Sequence, residues 1–271
     1  MSKMFRLLSV ALAATAAVSL LHAEDKVLAK IGPDSEKKVT RGTAAWEGEV
    51  LKCKLPCTVI FPARFKVDPA KIYALSAEVR STSGDSTNDN IWLGFLCFNE
   101  KGREITSLST FRFIPLLAEL AQPAAKGDKV VVFKSIPGPW GKILETPRYF
   151  AIGAKADRSD IPNYNVVRYE AKSAEKRDDG TVAVKLAQPL PADVPAGTKI
   201  GIHANGDTYQ FVSRKNAGTD WTSFSGSYAS KAENGVIAFR PTTVEIAFGF
   251  FCRDKEGEIE VRNLKLVESE D

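Results

Sequence analysis

The stretch TVEIAFGFFCR, residues 243–253, decides the fold. Side chains of a β-strand alternate between its two faces. Val244, Ile246, Phe248, Phe250 and Cys252 therefore share one apolar face, and Glu245, Ala247, Gly249, Phe251 and Arg253 share the other. The charged ends mark the second face as the outer one, so Cys252 points into a core. A near copy precedes this stretch: GFLCFNEKG at residues 94–102 matches GFFCRDKEG at residues 249–257. The same alternation places Ile91, Leu93, Phe95 and Cys97 inward, and Trp92, Gly94, Leu96 and Phe98 outward. Each copy ends in Asn/Asp-x-x-Gly, which suits a type I turn, so each predicts a β-hairpin. The likeness fades outside these residues, which argues against duplicated domains. On the outer face, glycine leaves a gap beside Trp92 and beside Phe251. Apolar residues facing out from a central sheet must be covered by a loop, a partner or a ligand.

The rest of the chain carries the same rhythm. KIYALSAEVRS sets Tyr73, Leu75, Ala77 and Val79 against Ser76, Glu78 and Arg80. TVAVKL, TKIGIHA, TYQFVSR and EIEVRNLKL are similar short runs, separated by Gly-, Pro-, Asn- and Asp-rich clusters such as STSGDSTNDN and PLPADVPAGT. Short alternating runs punctuated by turn residues predict an all-β chain, an antiparallel β-sandwich or barrel. Helical spacing occurs once: Leu116, Leu117 and Leu120, between Pro115 and Gly127, predict a short helix. No βαβ alternation occurs, which excludes a doubly wound sheet. No stretch reads as a linker, so residues 24–271 are read as one sandwich domain with an extended N-terminal arm to about Thr40.

The N-terminus reads as a secretory leader. Lys3 and Arg6 precede an apolar and small-residue run from Leu7 to Leu21, followed by LHA and an acidic pair. That order is the charged, apolar and cleavage regions of a signal peptide, with the cut placed after Ala23. The run is shorter than the about 20 residues a bilayer span needs, so no membrane span is expected once the leader is removed. Secreted or periplasmic localisation follows. The formal net charge of +4 includes the two leader cations. It is too small and too dispersed for nucleic acid.

Four cysteines, Cys53, Cys57, Cys97 and Cys252, make an even count in an exported chain, which favours disulfides. The Pro-containing spacer of CKLPC can bring Cys53 to Cys57. Cys97 and Cys252, both inward on stretches of matching design, can pair if their strands are neighbours. Buried free thiols are the other reading. His203 is the only histidine after the leader, and the cysteine spacings do not match a zinc site. No Gly-x-Ser-x-Gly elbow or phosphate-cradling glycine loop is present. The chain is therefore read as non-catalytic, with no metal and no cofactor. The better functional candidates are aromatic. Trp140 lies in IPGPWGK, Tyr164 in SDIPNYN and Trp221 in WTSFSGSY. With Trp92 they are candidates to stack on sugar rings, with Asp160 and Arg253 as polar contacts. Each ring can equally serve to anchor its own loop.

The order KIYALSAEVRS, IWLGFLCFNEKGREI, DIPNYNVVRY, PAGTKIGIHANGDTYQF and TVEIAFGFFCRDKEGEIEVRNLKLVE resembles the galactose-binding-domain-like jelly rolls, in particular the carbohydrate-binding modules of exported bacterial proteins. The resemblance runs from about Val50 to Glu268. It implies two stacked antiparallel sheets and a site for carbohydrate, such as a cell-surface glycan, on the concave face or at the loop end. Many such modules hold a structural calcium through an Asp in the last strand. Here VRNLKL puts Arg262 at that place, with Asn263 next, so a cation would meet a positive side chain. The alternative to a carbohydrate binder is a structural or assembly protein of the cell envelope that uses the same sandwich for protein contacts.

Overall fold

The structure is a computed structural model that describes residues 25–84, 91–110, 116–203, 210–232, 236–254 and 256–270. The leader lies outside the described residues. The first strands are β1 (Lys26–Lys30), β2 (Lys38–Glu47), β3 (Val50–Lys66), β4 (Lys71–Ser81) and β5 (Ile91–Phe98). A single helical turn, α1 (Ser107–Thr110), comes before β6 (Ala118–Glu119) and β7 (Val130–Phe133). A second turn, α2 (Trp140–Ile143), comes before β8 (Tyr149–Ile152), β9 (Val166–Lys176), β10 (Val182–Leu186) and β11 (Lys199–His203). The remaining strands are β12 (Gln210–Lys215), β13 (Thr222–Ala229), β14 (Ile237–Ala238), β15 (Glu245–Cys252) and β16 (Glu258–Glu270). The chain is all-β, with two mostly antiparallel sheets, and is consistent with a β-sandwich. Among the described residues no helix is long and apolar enough to cross a membrane.

The ten-stranded sheet runs β12-β5-β15-β3-β16-β4-β13-β14, with β1 on β16 and β2 on β3. It folds over at β3. Leu51–Lys54 of that strand pair with β16, whereas Cys57–Lys66 pair with β15. Pro56, between the two halves, has no N–H to give the ladder. Each half thus belongs to a different layer. The layers close over one core, in which the Phe95 ring meets Tyr228 edge-on at 5.7 Å and the Tyr228 hydroxyl donates to the Phe211 carbonyl at 2.8 Å. The alternation in the sequence holds: Tyr73, Leu75, Ala77 and Val79 are buried, as are Ile246, Phe248, Phe250 and Cys252. The expected N-terminal arm is part of the sheet, as β1 and the start of β2.

The six-stranded sheet, β6-β11-β8-β9-β10-β7, is built from residues between β5 and β12 and closes on itself. Leu120 bridges Phe133. The Ala121 N–H donates to the Val132 carbonyl at 2.8 Å, and the Lys134 N–H to the Glu119 carbonyl at 2.9 Å, so β7 returns to β6. Closure leaves no open edge. Phe133, Trp140, Phe150 and Tyr169 fill the resulting small barrel, with Trp140 stacked on Phe150 at 5.8 Å. The two cores share no residue. The Glu119 carboxylate reaches both Lys134 and Lys199 across the closing strands.

The repeated stretches are each other's partners. β5 and β15 pair antiparallel with Gly94 opposite Gly249, Leu93 opposite Phe250 and Trp92 opposite Phe251. This pairing corrects several expectations. The second copy forms no hairpin, because β16 pairs with β3 and β4, in the other layer. The first does form a minimal hairpin: the Gly102 N–H donates to the Asn99 carbonyl at 2.8 Å, Phe98 bridges Glu104, and the Ile105 N–H donates back to the Cys97 carbonyl at 2.8 Å. Antiparallel pairing about the glycines also sends Cys97 and Cys252 to opposite ends, opposite Ile246 and Ile91. At about 3.3 Å per residue they are roughly 20 Å apart, which no disulfide spans.

No disulfide is present, and all four cysteines are free and buried. Cys53 and Cys57 do meet, but each is held by its own ladder, Cys53 opposite Ile259 and Cys57 opposite Cys252. Their hydrogen bond raises the Cys53 thiol and lowers that of Cys57. The expected helix at Leu116–Leu120 is also absent. Ala118 and Glu119 are a strand, and Leu120 is drawn into the barrel core, a tertiary demand that overrides local periodicity.

Candidate functional site

The six aromatic and polar candidates fall in four places. Trp140 is not a loop platform. It opens α2 and is fully buried in the barrel core. Trp92 and Phe251 are buried too, at 3% and 7% exposure, so the outer face of β5 and β15 is closed. Phe211 meets Trp92 edge-on at 4.3 Å, and the guanidinium groups of Arg253 and Arg214 lie 4.2 and 4.8 Å from its ring centre. The glycines beside these rings clear no ligand space. A Cβ at Gly94 would overlap the Gln210 carbonyl, and one at Gly249 the Val59 carbonyl, so the gaps hold neighbouring backbone. Trp221 lies under two arginines, Arg262 at 4.0 Å and Arg80 at 4.7 Å.

Tyr164 is the candidate that lines an open cleft. The cleft, about 470 Å³, is bounded by Asn99, Glu100, Lys101 and Arg103 of the turn after β5, by Pro162 and Tyr164 of the loop between β8 and β9, and by Thr242 and Val244 before β15. It therefore sits where the small barrel meets the sandwich. Each wall has a local cause. Asn99 makes the turn: its side-chain oxygen accepts from the Lys101 and Arg103 N–H groups, both at 3.0 Å. Asn and Asp favour such positions because the short side chain mimics a backbone acceptor. From below, Arg64 of β3 donates to the Gly102 carbonyl at 3.3 Å, pairs with Glu245 and stacks on Phe98 at 3.8 Å.

The opposite wall is fixed by Asp160 and Asn163. Asp160 accepts from the Lys155 N–H at 2.9 Å and from the Asn163 amide at 2.9 Å. Asn163, almost fully buried, also donates to the Ile152 carbonyl, and its own N–H donates to the Ser109 carbonyl at 2.6 Å. Asp160 is thus committed to loop structure. The walls join at Tyr164. Its hydroxyl accepts from the Asn99 amide at 3.1 Å, and the Arg103 guanidinium stacks on its ring at 3.7 Å. Burial raises the Tyr164 phenol pKa, so it stays a neutral hydroxyl at physiological pH.

Glu100 and Lys101 project into solvent at the rim and have no ion-pair partner among the described residues. An acceptor and a donor side by side on an aromatic-walled cleft suit vicinal hydroxyl groups. Beneath the turn, Glu104 is partly buried, with one carboxylate oxygen unpartnered among the described residues, and burial raises its pKa. His203 is fully buried, and its Nδ1 donates to the Leu108 carbonyl. Among the described residues no cluster of His, Cys, Asp or Glu has the arrangement to hold a metal ion. The Asn99–Arg103 turn was readable in sequence as a turn, but nothing there marked it as a wall. Comparison with protein-family models and with curated proteins finds no match.

Proposed function

We propose that this is an exported, non-catalytic β-sandwich protein that binds carbohydrate in the cleft between the Asn99–Arg103 turn and the Tyr164 loop. The observation that carries this reading is the cleft itself: an open volume of about 470 Å³ with a tyrosine in its wall and, at its rim, Glu100 and Lys101, which have no ion-pair partner among the described residues. Small-molecule sites are commonly concave, largely preformed and furnished with a few polar groups that fix orientation. The two-layer antiparallel fold is compatible with the resemblance to galactose-binding jelly rolls. Export rests on the leader at residues 1–23. A non-catalytic role is supported by the burial of His203. Trp92 and Phe251 are covered within the chain, so the site is sought in the cleft and not on that face.

Affinity electrophoresis in gels containing galactan, xylan or mannan tests the reading. Retardation by at least one polymer is expected, and it should be lost in both Tyr164→Ala and Lys101→Ala. No retardation by any of the three, or retardation unchanged in both variants, would refute it.

A further inference from the structure

We infer a second binding groove, specific for acidic saccharides, on the outer face of the sandwich layer formed by β1, β16, β4 and β13. The groove holds about 490 Å³ and is lined chiefly by Val27, Lys30, Ser76, Glu78, Asn263 and Lys265. Its distinguishing feature is a row of side chains across four strands. Lys30 of β1 is directly opposite Lys265 of β16, Lys265 is opposite Ser76 of β4, and Ser76 is opposite Ser225 of β13. Residues directly opposite in an antiparallel ladder present their side chains on the same face, with Cβ atoms about 5 Å apart. Within the groove the row is thus two ammonium groups followed by the Ser76 hydroxyl, all able to donate to an anion.

Like charges directly opposite one another are destabilising in a sheet. Nearby lysines are neutralised: Lys26 pairs with Glu268 at 3.4 Å, and Lys71 with Glu270. Lys30 and Lys265 have no such partner among the described residues, although Glu78 lines the same groove. That carboxylate is already taken. Arg262 donates to it at 2.6 Å and Asn263 at 2.9 Å, which holds its pKa below the ordinary carboxylate value. The groove therefore carries two unbalanced positive charges. An oxyanion between the two ammonium groups would relieve their repulsion through charge-assisted hydrogen bonds. The volume far exceeds that of a lone sulfate or carboxylate. It suits that group carried on a saccharide ring, with Ser76, Ser223 and Asn263 placed to meet hydroxyls and Val27, 58% exposed, to meet the ring's apolar face. None of these residues belongs to the Tyr164 cleft, so the inference stands apart from the proposed function.

Three polymers of one backbone test it: dextran, carboxymethyl-dextran and dextran sulfate, each in affinity electrophoresis at low ionic strength. The full chain should be retarded by at least one charged polymer and not by dextran; which of the two it prefers identifies a carboxylate or a sulfate. The double variant Lys30→Gln/Lys265→Gln should bind at least about tenfold more weakly, as expected for the loss of charge-assisted contacts. Lys176→Gln/Lys185→Gln, which removes two exposed lysines of the small barrel, should remain within about twofold of wild type, since distant exposed charges are screened. Tyr164→Ala should bind the charged polymer normally. Absence of binding to both charged polymers, equal losses in the two double variants, or wild-type affinity in Lys30→Gln/Lys265→Gln would overturn the inference.

Discussion

The sandwich and the small barrel solve one problem in two ways. Both must leave few unpaired strand edges and bury aromatic residues in sheets that curve. The sandwich does this by folding a long strand, β3, from one layer into the other, and it covers the outer face of β5 and β15 with Arg214 and Arg253 over Trp92. The barrel does it by closure, with Leu120 against Phe133 and Glu119 bridging two lysines across the seam. The difference shows why the aromatic residues of one chain have such different fates. Trp140 is barrel filling, Trp92 is a covered outer residue, and Tyr164, at the junction of the two bodies, lines an open cleft.

The comparison breaks most decisively in the cores. Phe248→Ala and Trp140→Ala should each cost about 3–5 kcal/mol, the usual cost of truncating a buried aromatic. Because the cores share no residue, the two losses should add within about 0.5 kcal/mol in denaturant titrations. In hydrogen exchange, Trp140→Ala should deprotect β6–β11 and leave β3, β4 and β15 as in wild type. Uniform deprotection would mean the two cores are one cooperative unit.

A smaller effect sharpens the role of the paired glycines. Gly249→Val should cost about 1–3 kcal/mol, because its side chain must displace the Val59 carbonyl. Gly138→Ala, where a Cβ meets nothing within 4 Å, should stay within about 0.5 kcal/mol of wild type. Thermal melts of the two variants distinguish packing from conformational freedom.

Two carboxylates, one in each body, should respond to titration in opposite directions. Burial raises the Glu104 pKa, so folding favours its protonated form. Its effect is absent at low pH and becomes a loss of stability as pH rises above the ordinary glutamate value of 4.5. Lys134 and Lys199 push the Glu119 pKa down to about 2. That contribution is fully present above 4.5 and disappears as pH falls toward about 2. Melts between pH 2 and 7 should show the acid-side loss reduced in Glu119→Gln and the loss above pH 4.5 reduced in Glu104→Gln. A small effect on stability is also expected for Tyr164→Ala, within about 1 kcal/mol, for a half-buried ring with one hydrogen bond.

The alternation that sorts Phe248, Phe250 and Cys252 from Glu245 and Arg253 was legible because the core-facing positions are all apolar while the other face carries charges at its ends; that this other face is buried too was not. Strand pairing was not legible. Nothing local says that residues 91–98 lie against residues 245–252, which separates Cys97 from Cys252, or that the Gln210 and Val59 backbones fill the gaps beside Gly94 and Gly249. Barrel closure depends on the bridges of Leu120 to Phe133 and of Ala124 to Val194, which local spacing does not encode, so the Leu116–Leu120 spacing misled. Of the site, Tyr164 was visible as an aromatic residue in a Pro- and Asn-containing loop. Asn99, Glu100, Lys101 and Arg103 read only as a turn, because their partner wall lies more than fifty residues away in the chain.

The most direct test is hydrogen exchange of the full chain with and without an excess of galactan oligosaccharide. Binding in the junction cleft predicts slower exchange at the amides of residues 99–103 and 163–165, with the barrel core around Trp140 unchanged. Unchanged exchange at both cleft walls, or protection confined to another face of the molecule, would contradict the assignment of the cleft as the carbohydrate site.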